Sequence, residues 1–227
     1  MSESALAAAL DRIGKVQAHL SGPNAVLLAI LAVAAAVIPE LWLVTRHITV
    51  MAHEGAHATM GSALGHRVTG IRFRRNADGE TALSGGGFLG TVTTTVVGYL
   101  GPSVFGIGAA ELIRIGHIVA VLWAGLGGLV AILATLRWSF GVLTVILTLV
   151  LLFLVAGFAT VGVQVLTAYV IAWFLLVSSV RIIRMRGKEA ADAAKLRALT
   201  KIPSGFWSNL WLLGSVGALV YGATLLV

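Results

Sequence analysis

Two histidines and a glutamate with the spacing of a metal site lie within an apolar stretch of the sequence. His53, Glu54 and His57 form the pattern H-E-x-x-H. Residues four apart lie on one face of a helix, so both imidazoles can reach a single ion. Zinc accepts neutral imidazole nitrogen, and catalytic zinc sites combine three protein ligands with one water molecule. Glu54 would face that water and could take its proton as general base.

The motif is specific for a chain of this composition. With 6 histidines and 9 acidic residues among 227, the pattern is expected by chance about 0.006 times per sequence. Charged and imidazole groups inside a membrane segment are unfavourable unless they are paired or bound to a ligand, so they usually mark a site. The alternative is a polar cluster that only forms hydrogen bonds with neighbouring helices.

A catalytic zinc site needs a third protein ligand. The chain has few acids, and it has no cysteine, which excludes thiolate ligands. From the residues alone, Asp192, Glu111 and His117 all remain candidates for the third ligand.

The composition is that of an integral membrane protein. Hydrophobic residues make up 58% of the chain and charged residues 11%, and the mean hydropathy is +0.97. Soluble domains carry about 25% charged residues, so a chain with this few must have much of its surface in lipid.

The net charge is +7, but the basic residues lie at the ends of apolar runs, where they orient membrane spans. Without aromatic residues interleaved among them, we expect no nucleic-acid partner.

We predict an all-α polytopic membrane protein with about seven transmembrane helices, because apolar runs of about 20 residues recur along the chain. A small β-hairpin is predicted between the second and third, where short extended runs flank the turn sequence Asn76-Ala77-Asp78-Gly79. The predicted spans are 23–44, 45–64, 88–113, 117–136, 139–158, 161–180 and 206–226.

The chain is predicted to divide into four parts. A cytoplasmic segment, 1–22, precedes a membrane core, 23–180, which includes the hairpin at 66–87. A basic cytoplasmic loop, 181–205, contains a short helix over 189–200, and a C-terminal transmembrane helix occupies 206–227.

The basic residues also predict the orientation. With the N-terminus in the cytoplasm and all seven spans crossing, 14 of the 16 lysines and arginines lie inside, and only Arg46 and Arg114 lie outside. The C-terminus is then outside. The small size and the lack of eukaryotic targeting features suggest a bacterial inner membrane.

The motif and the segments that follow it resemble the site-2 protease family of intramembrane zinc metallopeptidases, most closely its compact bacterial branch. The resemblance rests on the H-E-x-x-H motif, the basic hairpin and Gly98-Tyr99-Leu100-Gly101-Pro102. A weaker pattern follows downstream in Ala191-Asp192-Ala193, Leu196, Leu199-Thr200, Pro203 and Trp207.

The resemblance implies that Asp192 is the third zinc ligand beside His53 and His57. Family members generally place this aspartate in an Asp-Gly pair at the start of a span. Here Ala193 follows it, and the last predicted span begins about a dozen residues later. The segment around Asp192 must therefore fold back to reach the zinc.

These observations predict a zinc metalloendopeptidase that cleaves membrane-spanning or membrane-proximal segments of other membrane proteins. The resemblance implies regulated cleavage, for example of signalling or anti-sigma-type proteins.

Two alternatives remain: an inactive family member that acts as a membrane scaffold, and a metal-handling or transport protein. Transport is disfavoured because it has no need of Glu54, and because Gln164 is nearly alone as a polar residue in the fourth to sixth spans. The sequence gives no expectation about oligomeric state.

Two further features could serve a protease. Thr93, Thr94 and Thr95 could line a water-filled cavity or bond to their own helix carbonyls. The hairpin could add a substrate strand to its edge or anchor to anionic lipid.

Overall fold

The computed structural model describes residue 7 and residues 10–137, 140–186 and 190–227. Within this part of the chain there are eight α-helices and one two-stranded sheet, which confirms the predicted fold class. The helices are α1 (Gly22–Val37), α2 (Pro39–Ala63), α3 (Phe88–Arg114), α4 (Ile118–Thr135), α5 (Phe140–Phe158), α6 (Val161–Arg186), α7 (Ala191–Thr200) and α8 (Ser204–Leu226), and the strands are β1 (Arg67–Phe73) and β2 (Gly79–Ser84).

The number of membrane spans differs from the expected seven. Among the described residues, α3, α4, α5, α6 and α8 are each long and apolar enough to cross a membrane, and α1 and α2 together form a sixth, bent candidate. The bend between α1 and α2 is 97°. It arises at Ile38, whose φ of −69° and ψ of 124° are extended, because Pro39 disfavours helical backbone at the residue before it. By length and composition, the predicted spans 23–44 and 45–64 together make one bent candidate span.

The bend changes the placement of the N-terminal segment. The Gln17 backbone N–H donates to the Gly116 carbonyl oxygen at 2.8 Å, and the Gln17 side-chain oxygen accepts from the Val119 N–H at 2.9 Å. Gly22 packs beside Val227. Residues 12–22 thus lie at the same end of the helix bundle as the C-terminus, opposite the hairpin. In contrast to the prediction for segment 1–22, its described residues 12–22 therefore do not share an end of the bundle with the hairpin.

The hairpin forms as predicted and is anchored to the bundle. Its strands are antiparallel, with Ile71 opposite Thr81 and a bulge between Val68 and Gly70. Ile71 is fully buried. The segment after α4 lies along the outer edge of β1, where the Arg137 N–H donates to the Ile71 carbonyl oxygen at 2.8 Å. The β1 edge is therefore covered at this point.

The central helices α3, α6 and α8 are joined by a buried cluster of hydroxyl groups. The Ser103 and Ser179 oxygens lie 2.7 Å apart, Ser103 and Ser215 lie 3.0 Å apart, and Ser179 and Ser215 lie 2.8 Å apart. Small polar residues of this kind let helices approach closely and bond across the interface within a bilayer.

The predicted loop 181–205 is more helical than expected. Helix α6 continues to Arg186 before the chain turns back, and α7 confirms the short helix predicted over 189–200, although Glu189 lies outside the described residues. Lys201 ends α7 with a left-handed backbone, φ 64°. Proline at 203 then precedes α8, which begins at Ser204.

Candidate metal centre

Three potential ligand atoms converge at one point of the bundle. Nε2 of His53 and Nε2 of His57, one turn apart on α2, lie 3.2 Å from each other. Asp192, in the first turn of α7, places Oδ2 3.2 Å from the His53 nitrogen and 3.1 Å from the His57 nitrogen. The structure therefore brings together the two motif histidines and the aspartate that the resemblance indicated.

The other two candidates for the third ligand lie elsewhere. Glu111, near the end of α3, accepts hydrogen bonds from Arg114 Nε at 2.6 Å and from the Tyr221 hydroxyl at 2.7 Å. His117 precedes α4 at the bundle end that holds the N-terminal segment. Neither belongs to the three-residue group that could hold a metal ion.

The spacing of the three atoms fits a tetrahedral zinc site. Ligand atoms about 2.0–2.1 Å from a tetrahedral zinc lie about 3.3 Å from one another. The three observed separations are 3.1 and 3.2 Å. Two imidazoles and one carboxylate also match a donor set found in catalytic zinc sites, in which the fourth position stays open for water.

Helix α3 orients the His57 imidazole. Nδ1 of His57 lies 2.9 Å from the Thr94 carbonyl oxygen, and an Nδ1–H donated there leaves the Nε2 lone pair for a metal. The ring occupies the space that a side chain at Gly98 would need. At Gly101, likewise, a Cβ would overlap Ala56 of α2. The glycines of α3 therefore let α2 approach closely enough to place its histidines.

Aromatic rings fix the other side of the site. The Tyr99 ring meets the His53 ring edge-on, with centroids 4.5 Å apart, and stacks on Trp211 at 4.6 Å. The Trp211 indole N–H donates to the Val96 carbonyl oxygen at 2.9 Å. The His53 ring is thereby packed against a rigid pair from α3 and α8.

Asp192 reaches the histidines because the chain folds back after α6, as the resemblance required. The Ser204 hydroxyl donates to the Ala193 carbonyl oxygen at 3.2 Å, which ties α7 to the start of α8. Ala193 is fully buried, so alanine fits where the family pattern has glycine. Burial opposes the charged form of Asp192, but the hydrogen bonds to His53 and His57 outweigh it and hold the pKa of the carboxyl below its usual range.

Glu54 is almost completely buried beside the three ligands, at 3% exposure. Its Oε2 accepts a hydrogen bond from the Thr81 hydroxyl at 2.6 Å. Its Oε1 lies 3.8 Å from His53 Nε2. One carboxylate oxygen therefore accepts from a hairpin hydroxyl, while the other lies beside Gly79 and nearer to the metal centre.

A cavity of about 780 Å³ opens from this centre between α2, α3, the hairpin and α7. This volume is within the range of ligand pockets, about 300–1,000 Å³. Of the three threonines expected to line a cavity, Thr94 and Thr95 do so and the exposed Thr93 does not. The Thr95 hydroxyl also donates to the Thr91 carbonyl oxygen at 2.7 Å, so both interpretations apply to Thr95.

Charged residues surround the mouth of the cavity. Arg186, at the end of α6, forms an ion pair with Asp78 in the hairpin turn, and a second nitrogen of the same guanidinium donates to the Asn76 carbonyl oxygen at 3.4 Å. Lys195 of α7 and Glu80 of β2 also line the opening. The hairpin turn is thus tied to the helix end that precedes the Asp192 segment.

Sequence reasoning did not find three residues of the cavity wall. Tyr99 was noted only as part of the motif Gly98–Pro102, while Thr81 and His66 were assigned no role. Tyr99 could have been noticed because it follows Gly98 in a stretch rich in small residues. Thr81 and His66 carry no local signal, because their contacts depend on how the hairpin packs.

A family model described as Peptidase M50B-like matches residues 26–222. The match includes α2, the hairpin, α7 and most of α8, and so all of the residues that meet at the centre. No curated protein and no solved structure matches the chain.

Proposed function

Because the chain belongs to the Peptidase M50B-like family, we propose that it is a zinc-dependent endopeptidase that cleaves other proteins within or next to the membrane. Membership confirms the resemblance to site-2 proteases and identifies the chain as a membrane metallopeptidase. The zinc ion, the residue roles and the substrate class are the proposal.

One observation carries it: ligand atoms from α2 and α7, 135 residues apart in sequence, converge to 3.1 Å beside a buried glutamate. Buried ionisable groups that meet in a cavity, within a bundle of membrane helices, are unfavourable unless the arrangement serves a site.

The chain's own residues have distinct roles in hydrolysis. His53, His57 and Asp192 would hold the ion. When bound, zinc supplies Lewis-acid chemistry by lowering the pKa of water and polarising a carbonyl group. Glu54 takes a proton from the attacking water at Oε1 and returns it to the leaving amine nitrogen. The Thr94 carbonyl keeps the His57 ring in the ligating tautomer.

The substrate segment must be extended, because a helix shields its peptide bonds. The covered edge of β1 leaves β2 for strand addition, and the β2 residues Gly79, Glu80, Thr81 and Leu83 line the cavity. We propose that a segment of a membrane protein enters beside β2.

The proposed orientation rests on the basic residues and on the placement of residues 12–22 and Val227. At the end of the bundle opposite the hairpin lie Arg12, Lys15 and Arg114. The hairpin end carries ten of the fifteen lysines and arginines among the described residues: Arg67, Arg72, Arg74, Arg75, Arg137, Arg184, Arg186, Lys195, Arg197 and Lys201. The remaining two, Arg46 and Arg181, lie within α2 and α6. We therefore propose that the hairpin and the mouth of the cavity face the cytoplasm of a bacterial cell, with both chain ends outside.

The alternatives receive less support. The side-chain amide of Gln164 donates to the Val155 and Ala156 carbonyl oxygens at 3.2 and 2.8 Å, so this polar group joins α6 to α5 instead of lining a transport path. An inactive scaffold would have no need to keep the three ligand atoms and Glu54 together.

Proteolysis tests the proposal directly. Purified protein is reconstituted in liposomes with a panel of fluorescently tagged single-span membrane proteins, with Glu54→Gln as the inactive control. We expect cleavage by the wild type, loss of about 100-fold or more with Glu54→Gln, and reversible inhibition by a zinc chelator. Equal cleavage by both proteins would contradict the proposal, and a zinc-loaded wild type that cleaves nothing would favour the scaffold.

A further inference from the structure

The β-hairpin makes direct contact with the proposed general base. The Thr81 hydroxyl, on β2, lies 2.6 Å from Glu54 Oε2 and 3.2 Å from the Glu54 backbone oxygen. Among the described residues, no other side chain is within hydrogen-bond distance of the Glu54 carboxylate. The Thr81 hydroxyl is therefore the side-chain hydrogen-bond donor that orients this carboxylate.

The two oxygens of Glu54 are not equivalent. The Thr81 hydroxyl donates to Oε2, and Oε1 is the oxygen that lies 3.8 Å from His53 Nε2. Rotation about the last side-chain torsion, which is a soft one, would turn Oε1 away from the centre. The hydrogen bond opposes that rotation.

We propose that Thr81 is a positioning residue for catalysis: its hydroxyl holds Oε2 of Glu54 so that Oε1 faces the metal centre. This inference rests on the proposed function. Thr81 does not touch the reacting atoms and acts only through Glu54.

The hairpin is held firmly enough to serve this role. Thr81 is paired across the sheet with Ile71, which is fully buried, so both side chains are on the face that packs against the bundle. Gly79, two residues before Thr81, lies so close to the Glu54 side chain that a Cβ there would overlap the carboxylate. The ion pair of Arg186 with Asp78 fixes the turn from the other side.

Two substitutions of Thr81 distinguish the effect of its hydroxyl group from the effect of its side-chain shape. Thr81→Val removes the donor at nearly constant volume, while Thr81→Ser keeps it. We expect Thr81→Val to lower kcat about 100-fold with KM and bound zinc unchanged, because small displacements of a catalytic group lose about that factor. Thr81→Ser should recover most of the rate. Thr69→Val is the matched control, because the Thr69 hydroxyl bonds only to the Ala82 carbonyl oxygen across the same hairpin.

A binding measurement tests the same contact without turnover. A peptide hydroxamate binds catalytic zinc and hydrogen-bonds to a neighbouring glutamate, so its affinity reports the position of Glu54. We measure it in zinc-loaded wild type, Thr81→Val, Glu54→Gln and the double variant. We expect Thr81→Val to weaken binding about tenfold in the wild-type background and to have no effect beside Glu54→Gln, since the two residues act as one unit.

Each outcome distinguishes the inference from the proposed function. Full kcat in Thr81→Val, or equal weakening in both backgrounds, would overturn the positioning role and leave the protease proposal intact. If Thr81→Ser has a kcat as low as that of Thr81→Val, the positioning role is likewise overturned and the protease proposal stays intact. A wild type that holds no zinc and binds no hydroxamate would overturn the protease proposal, and this inference with it.

Discussion

Two side chains at the centre, His57 and Glu54, are each held by a contact at one atom that leaves another atom available. His57 engages the Thr94 carbonyl oxygen through Nδ1 and presents Nε2. Glu54 accepts from Thr81 through Oε2 and presents Oε1. Such outer contacts affect metal affinity and rate although they never touch the ion.

Gly98 tests this arrangement at the scale of one residue. A methyl group at position 98 would overlap the His57 ring, so we expect Gly98→Ala to lower zinc affinity about 10- to 100-fold, as outer contacts of ligands do. Gly108→Ala, on the same helix with nothing within 4 Å of the new methyl, is the control. The affinity is measured by competition with a chromogenic chelator. Equal affinities of the two variants would show that α3 does not position His57.

At the scale of elements, α3 is the helix around which the site is built. It contacts α2 through Gly98 and Gly101, and its hydroxyl cluster with α6 and α8 fixes the two helices that flank the α7 segment. The cluster is therefore expected to stabilise the frame that brings Asp192 to α2.

Ser179 provides the test for that cluster. Replacing it by alanine leaves the Ser103 and Ser215 hydroxyls without one partner each. We expect a loss of about 0.6–1.7 kcal/mol, the size of interhelical hydrogen bonds in membranes. The neighbouring Ser178 has only a 3.5 Å contact with the Leu175 carbonyl oxygen, so Ser178→Ala should lose less. Reversible unfolding in detergent measures both, and a larger loss for Ser178→Ala would contradict the role of the cluster.

At the scale of the whole molecule, the hairpin, α7 and the cavity mouth lie at one end of the bundle, and residues 12–22 and Val227 lie at the other. Pro39 bends the chain between α1 and α2, which together count as one candidate span by length and composition. The sequence showed the proline, but apolar length alone favoured two crossings, because α1 and α2 together are long enough for both. The packing of α1 against α6 and of α2 against α3, which the sequence does not display, places residues 12–22 opposite the hairpin.

The absence of cysteine makes this topology testable by labelling. Single cysteines are placed at Gly14 and Val227, at one end, and at the exposed Arg72 of β1, at the other. We expect a membrane-impermeant maleimide to label Gly14→Cys and Val227→Cys in intact spheroplasts, and Arg72→Cys only after permeabilisation. The unsubstituted chain is the blank. Labelling of Gly14→Cys and Val227→Cys from opposite sides of the membrane would contradict this topology and support seven spans.

The parts of the site that follow from local spacing could be predicted, and those that follow from packing could not. His53, Glu54 and His57 are determined by helical periodicity within a single turn and a half. Asp192 lies 135 residues from His57, so only the family resemblance indicated it, and Glu111 and His117 fitted the residues equally well. Thr81 and Tyr99 entered the site through the hairpin register and the α3 packing, which no short-range pattern encodes.

Zinc content is the most direct test of the central claim. The purified wild type, Asp192→Ala, Glu54→Gln and Glu111→Gln are analysed by mass spectrometry after dialysis against a weak chelator. We predict about one zinc per chain in the wild type, in Glu54→Gln and in Glu111→Gln, and little in Asp192→Ala, because the last loses one of three protein ligands. Full zinc in Asp192→Ala, or none in the wild type, would contradict the account of this centre.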